Sequence, residues 1–316
     1  PVELALHVDG ADRQDNFTTT FDPRDFSADR LPWVRRPKFL AIVASATLAS
    51  MLARKANGHV DGFIVEGPTA GGHNAPPRGA MQMNDRGEPM YGERDIVDLS
   101  AIEALGRPFW LAGSYGRPEK VAEALAMGAA GVQVGTAFAF CEESGLKAEI
   151  RRRVVQMSRE NAVDVKTDPV ASPAGFPFKV LQLDDTLSND EVYQRRRRVC
   201  DLGYLRHAYK REDGTLGWRC GAEDIDAFLR KGGTVEGTCG KKCVCNGLIA
   251  NVGMPQIRRD GSAELPLLTS GDDAREVARF LPNEEILDYT AHDVVNALLA
   301  GIPMMPAEQQ HQAFTK

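Results

Sequence analysis

This sequence of 316 residues predicts an α/β chain built on a parallel sheet, and three observations lead there. Short uninterrupted apolar runs recur ("FLAIVAS", "VDGFIVEG", "RPFWLAG", "AAGVQVGTAF"), the mark of strands buried on both faces. Helical patterns with start and stop signals follow these runs. Glycine, often with a small hydroxyl residue, stands where the strands end. Four strand–helix units in about a hundred residues define a parallel α/β sheet.

"VELALHV" alternates apolar and polar residues and predicts a first strand, followed by a polar connection up to "LPWVRRPK". "FLAIVAS" is the first buried strand, and "TLASMLARKANG" its helix, ending at Gly58. "VDGFIVEG" leads into a long glycine–proline loop. "RPFWLAG" precedes "RPEKVAEALAMG", with Pro118 suited to a first helical turn and Gly128 to the stop. "AAGVQVGTAF" is the fourth strand, and "SGLKAEIRRRVVQMSREN" its helix, with Ser144 as the expected cap.

After Asn161 the pattern breaks. "TDPVASPAGFPFKV" is proline-rich and irregular, and "SNDEVYQRRRRVCDLG" predicts a helix opened by a Ser188–Glu191 capping box. Two short helices, near "DDAREVARFL" and "AHDVVNALLAG", follow a cysteine-rich stretch. Residues 1–160 therefore read as one region, and 161–316 as a mostly helical, cysteine-containing one.

Bulk composition narrows the function. A net charge of −6 argues against nucleic acid as the main partner, because phosphate binding rewards a basic face. The run Arg195 to Arg198 lies in a helical pattern and reads as a solvated face. No stretch is apolar and long enough to span a bilayer, and the N-terminus lacks signal-peptide features. The six cysteines are then expected reduced, in a cytoplasmic setting.

The loop "EGPTAGGHNAPPRG" carries the chemistry. In parallel sheets ligands gather at the carboxyl ends of strands, and glycines there bring backbone N–H groups close to a flat or anionic ligand. The next two strands end in "AGSYGRPEK" and "VGTAF", which put glycine with Ser or Thr before a helix, an arrangement suited to phosphate. His73 ends the glycine pair with no apolar sequence neighbour to pack it.

"VDGFIVEGPTAGGH", "PFWLAGSYG" and "ALAMGAAGVQVGTAF" resemble, in order and spacing, the second half of the FMN-dependent nitronate monooxygenases, a group that includes flavin enoyl reductases. The resemblance spans about Pro37 to Glu149. It implies a (β/α)8 TIM barrel with FMN at its carboxyl face. It further implies that Gly113, Ser114, Gly135 and Thr136 hold the phosphate, that Gly71 and Gly72 pass beside the flavin, and that Ser45, Ala112 and Gln133 also contact the cofactor. His73 matches the family's active-site histidine, and imidazole suits proton transfer near neutral pH. The Ala-Gly-Ser-Tyr stretch and the stiff "HNAPPRG" depart from the family on the substrate side.

Only four βα units are present, and they match the family's last four, so the chain reads as the C-terminal half of a barrel. The first half is expected from an upstream segment or another chain, with "VELALHV" as an excursion.

Five cysteines crowd one later stretch. Thiolates favour zinc or an iron–sulfur cluster, and Cys200, Cys220, Cys243 and Cys245 form the candidate set, with Cys239 as the spare. Buried or free thiols are the competing reading. This tail and "SPAGFPFK" resemble a long-tailed branch near the flavin enoyl reductase subunits. Lys179 reads as a solvated loop lysine, with a place over the active site as the alternative.

Three functions are carried forward. The first is an FMN oxidoreductase oxidising small nitronates with O2. The second is an NAD(P)H-dependent flavin enoyl or quinone reductase. The third is an inactive half-barrel fragment or scaffold subunit with exposed strand edges.

Overall fold

The computed structural model describes residues 1–26 and 35–302; part of the expected polar connection, residues 27–34, lies outside them. "VELALHV" forms two strands, β1 (Val2–Ala5) and β2 (Val8–Asp9). The first pairs antiparallel with β3 (Thr18–Phe21) and the second joins another sheet. The chain divides into two compact units that interleave. One takes Pro1–Phe39, Gly72–Asp95 and Asp164–Thr269; the other takes Leu40–Gly71, Ile96–Val163 and the stretch from Ser270 onward. The division expected near residue 160 is replaced by this one, because segments on both sides of that point pack into each unit.

The second unit holds the four apolar runs as one parallel sheet, in the order β4 (Leu40–Val43), β5 (Gly62–Glu66), β6 (Phe109–Ala112) and β7 (Gly131–Gln133). Helices α1 (Ala46–Lys55), α2 (Leu99–Glu103) and α3 (Pro118–Ala126) serve it. Pro118 occupies the first turn of α3, and Gly128 takes φ +84° beyond its end, as expected. Helix α2 is an addition to the sequence reading; Asp98 caps it by accepting the Ala101 N–H at 3.1 Å.

The two faces of this sheet differ. Val43, Phe63, Val65, Phe109 and Leu111 point one way and are buried with Ala49, Ile102 and Ala124. On the opposite face the register aligns Ile42, Ile64, Trp110 and Gly131 in a row, and Ile42 is 55% exposed. A β-carbon on Gly131 would come within 3.1 Å of the Trp110 indole, and one on Gly62 within 3.1 Å of its other edge. Both glycines make room for that ring. Strands β4 and β7 are the sheet's edges among the described residues.

A short helix α4 (Thr136–Ala139) follows β7, and α5 (Ala148–Arg159) follows it. The expected Ser144 cap is not used. Helix α5 starts after Lys147, which makes no side-chain cap, while Ser144 Oγ accepts the Leu146 N–H within the preceding turn. A kinked 3₁₀ segment, Asp272–Phe280, and the helix Ala291–Leu299 complete the unit; the latter opens on a Thr290–Asp293 capping box.

In the first unit, β8 (Val165–Asp168) and β9 (Phe178–Leu181) form an antiparallel pair. Strands β10 (His207–Lys210) and β11 (Leu216–Arg219) form another, with β2 parallel to β10. The tail expected to be mostly helical therefore contains four strands besides α6 (Asp190–Arg195), α7 (Ile225–Arg230) and α8 (Val244–Asn251).

The helix read from "SNDEVYQRRRR" stops at Arg195, and Asn189 rather than Ser188 caps it. Ser188 Oγ instead closes a turn by donating to the Leu183 carbonyl. The arginine run is not a solvated face throughout. Arg196 is paired with Glu264 at 2.8 Å, both side chains nearly sealed from solvent, and its guanidinium lies 4.6 Å from the centre of the Tyr193 ring. Among the described residues no helix is long and apolar enough to cross a membrane.

Candidate functional site

In the parallel-sheet unit, the strand-end loops converge on one backbone segment. The residue against Gly71 is not a ligand. A β-carbon there would lie 2.7 Å from the Gly271 nitrogen and 2.8 Å from the Ser270 carbonyl carbon. Gly271 in turn donates its N–H to Thr136 Oγ1 at 2.9 Å, and the Asp272 N–H reaches the Thr69 carbonyl at 3.0 Å. The stretch "TSGDD" thus ties the end of β5 to the start of α4. The sequence reading passed it over; its signal was a glycine among small polar residues after the apolar "LPLL".

Gly113 and Ser114 follow β6 with φ +95° and +58°. A β-carbon on Gly113 would sit 2.9 Å from Thr69 Oγ1, so glycine is required by crowding as well as by backbone angle. Two successive residues with positive φ turn the chain sharply just past the end of β6. Among the described residues, the N–H groups of Gly113, Ser114 and Gly135 donate to no protein acceptor. Gly135 caps α4, and a β-carbon there would meet nothing within 4 Å. Free donors, missing side chains and open space fit a phosphate.

Ala112 and Gln133 lie level with Glu66 across β5, β6 and β7, on the face that carries Ile42. Glu66 was not singled out from sequence; burial raises its carboxyl above the usual range. Ser45 caps α1, its hydroxyl oxygen accepting the Leu48 N–H at 3.0 Å. That structural duty accounts for the serine at the end of "AIVAS".

His73 belongs to the other unit, one residue past Gly72, whose φ is +81°. The Gly72 N–H donates to Thr269 Oγ1 at 2.9 Å, and its carbonyl accepts the Lys179 N–H at 2.8 Å. The loop thereby lies along β9, with His73 bridged to Phe178. Although His73 has no apolar neighbour in sequence, its ring packs on Phe178 at 4.7 Å between centroids. Its Nε2 lies 2.6 Å from Ser172 Oγ. Desolvation by this packing lowers the imidazole below its ordinary value. Ser172, fully buried, was missed within "SPAGFPFK". Lys179, expected in solvent, is 4% exposed.

The four candidate thiols come together in the same unit. Cys200 lies in the loop after α6, Cys220 just past β11, Cys243 caps α8 and Cys245 is in its first turn. All four line one small cavity with Pro173, Leu205 and Ala222. A hydrogen bond from Cys220, reinforced by Arg206, lowers the Cys200 thiol to about 6. The same bond, with burial, raises Cys220. Burial raises Cys243 and Cys245. Cys239 stands apart and exposed. Among the described residues no group of three or more His, Cys, Asp or Glu side chains is set to hold a metal ion as it stands.

A parallel sheet with glycine-rich strand ends defines an α/β chain. Residues 20–175, just under half of the chain, match the nitronate monooxygenase family. It is similar to the (3aS,4S,5R,7aS)-5-hydroxy-7a-methyl-1-oxo-octahydro-1H-indene-4-carboxyl-CoA dehydrogenase of Mycobacterium tuberculosis, at 26% identity over 82% of the chain and 66% of that protein. A probable nitronate monooxygenase of Bacillus subtilis is 31% identical over 40% of the chain and 33% of its own length. Among solved structures, FabK from Thermotoga maritima aligns over 88% of the chain and 63% of its own, with TM-score 0.44 and 17% identity. The chain thus spans just under two thirds of the first of these relatives and a third of the second.

Proposed function

We propose that the chain supplies the phosphate-holding part of an FMN-dependent oxidoreductase of nitronate monooxygenase type, acting in the cytoplasm on small nitronates with O2. The observation that carries this reading is the pair of left-handed residues Gly113 and Ser114, with free N–H groups, beside the match to the family over residues 20–175. Backbone donors of Gly113, Ser114 and Gly135 would hold the phosphate. Ser114 and Thr136 would add hydroxyls; Thr136 Oγ1 already accepts from Gly271 and keeps its own proton to donate. When bound, FMN supplies the two-electron acceptor.

His73 would move the substrate proton. Ser172 Oγ already accepts the Ala174 N–H at 3.1 Å, and its second lone pair suits a bond from Nε2–H of His73. Nδ1 is then the open base, and a lowered pKa keeps it unprotonated at neutral pH. Further strands would cover the exposed face of the parallel sheet, from the same polypeptide or another.

A second reading, an NAD(P)H-dependent flavin enoyl or quinone reductase, draws support from the CoA-ester dehydrogenase that is similar over 82% of the chain. Anaerobic stopped flow on the FMN-loaded protein separates the two. Bleaching of the flavin by a nitronate but not by NAD(P)H is expected; rapid bleaching by NAD(P)H alone selects the reductase. A protein that stays colourless after incubation with FMN would be a scaffold and would end both readings.

A further inference from the structure

We propose that Cys200, Cys220, Cys243 and Cys245 form a closed four-thiolate site for a single zinc-class divalent ion, independent of any flavin. Three separate stretches of chain deliver these thiols to one cavity.

The cavity measures about 10 Å³, room for about one water-sized occupant. That size admits a single ion and excludes a cubane cluster. The rest of the lining includes Pro173, Leu205, Ala222 and Val244, so a water there would find few polar partners, whereas a thiophilic ion would find four. Cys243 is the N-cap of α8 yet makes no side-chain capping bond, which leaves its sulfur free for another task. Cys245, two residues on, lies within the same first turn, where the helix N-terminus favours negative charge.

Charge is partly offset. Binding one divalent cation to four thiols releases four protons and leaves a net charge of −2 on the site. Arg206 approaches from one side, its Nη2 donating to the Cys200 carbonyl at 3.1 Å. Without the ion the four sulfurs do not form a ready ligand set, so loading must draw them inward. Cys200 and Cys220 both line the cavity and supply one edge of the tetrahedron.

The test is elemental analysis of the full chain, purified under reducing conditions without chelator. About one zinc per chain is expected, with iron and acid-labile sulfide below about a tenth of that. Cys220→Ser and Cys245→Ser should each lower zinc content by about tenfold or more, and Cys239→Ser should leave it unchanged. Should the variants fail to fold, Co²⁺ added to the reduced, metal-stripped wild-type chain gives a second readout. Intense thiolate charge-transfer and tetrahedral d–d bands, bleached by zinc, would support the site. Weak octahedral bands would overturn it, as would iron with sulfide. A metal-free chain in which Cys200 and Cys220 map to a disulfide would also overturn it.

Discussion

Replacing Gly71 with alanine tests what the glycine pair is for. The β-carbon would stand 2.7 Å from the Gly271 nitrogen and 2.8 Å from the Ser270 carbonyl carbon. Both are backbone atoms, so no side chain can swing aside. Ser270–Gly271 must retreat, which strains its two anchors, Gly271 N–H to Thr136 at 2.9 Å and Asp272 N–H to Thr69 at 3.0 Å. Overpacking costs about 1–3 kcal/mol, and each weakened hydrogen bond about 1 kcal/mol. A loss of about 3 kcal/mol follows, or a fall in Tm of about 4–5 °C for a chain of this size, at about 2.1 cal/mol/K of unfolding entropy per residue. Thermal unfolding followed by circular dichroism, beside an FMN titration, reads it. Gly72→Ala is the control: φ is +81° with nothing within 4 Å, so strain alone should cost about 1–2 kcal/mol. If Gly71→Ala melts within about 1 °C of the wild type, the close approach of Ser270–Gly271 is not what selects glycine there.

Three other outcomes are expected. Gly135→Val should abolish FMN retention while leaving Tm nearly unchanged, because the space beside Gly135 is open; an unaltered FMN dissociation constant would refute the phosphate assignment. His73→Ala should keep FMN bound and lower turnover by about 10²-fold or more. Since desolvation depresses the imidazole and the base form is the active one, the acid limb of the wild-type rate profile should fall below the ordinary histidine value of about 6.5; a midpoint above it would contradict the packing on Phe178. Finally, the chain expressed alone should aggregate or co-elute with a partner carrying further strands, owing to the bare Ile42 face and the edges β4 and β7. Size-exclusion chromatography with circular dichroism showing a cooperatively folding monomer that binds FMN would refute that.

The parallel sheet was legible because its strands are continuous apolar runs, a pattern that only burial on both faces rewards. Cap positions were less legible. Ser188 and Ser144 each had the right residue type, but nearby turns captured their hydroxyls. The four strands of the tail escaped because each is only four residues long, too short for periodicity to rise above noise. The burial of Arg196 and Lys179 depends on partners far off in sequence, Glu264 in the first case, and no local pattern announces them. The four cysteines could be grouped from sequence by chemistry alone. The glycine pair could be located but not explained, since Ser270–Gly271 lies some 200 residues away.

The interleaving of the two units has a consequence for how the chain is made. Synthesis runs from the N-terminus, and the polypeptide passes from one unit to the other five times, after Phe39, Gly71, Asp95, Val163 and Thr269. Strands β4 to β7 leave the ribosome well before Ser270–Gly271, the backbone that seats Gly71 and Thr136. Neither unit can close until the stretch up to and beyond Thr269 has emerged, so both must wait through a long nascent stage with apolar sheet exposed. Slow codons or a trigger-type chaperone acting near Thr269 would act on both at once, and no single cut within residues 1–302 would release either unit as a domain able to fold by itself.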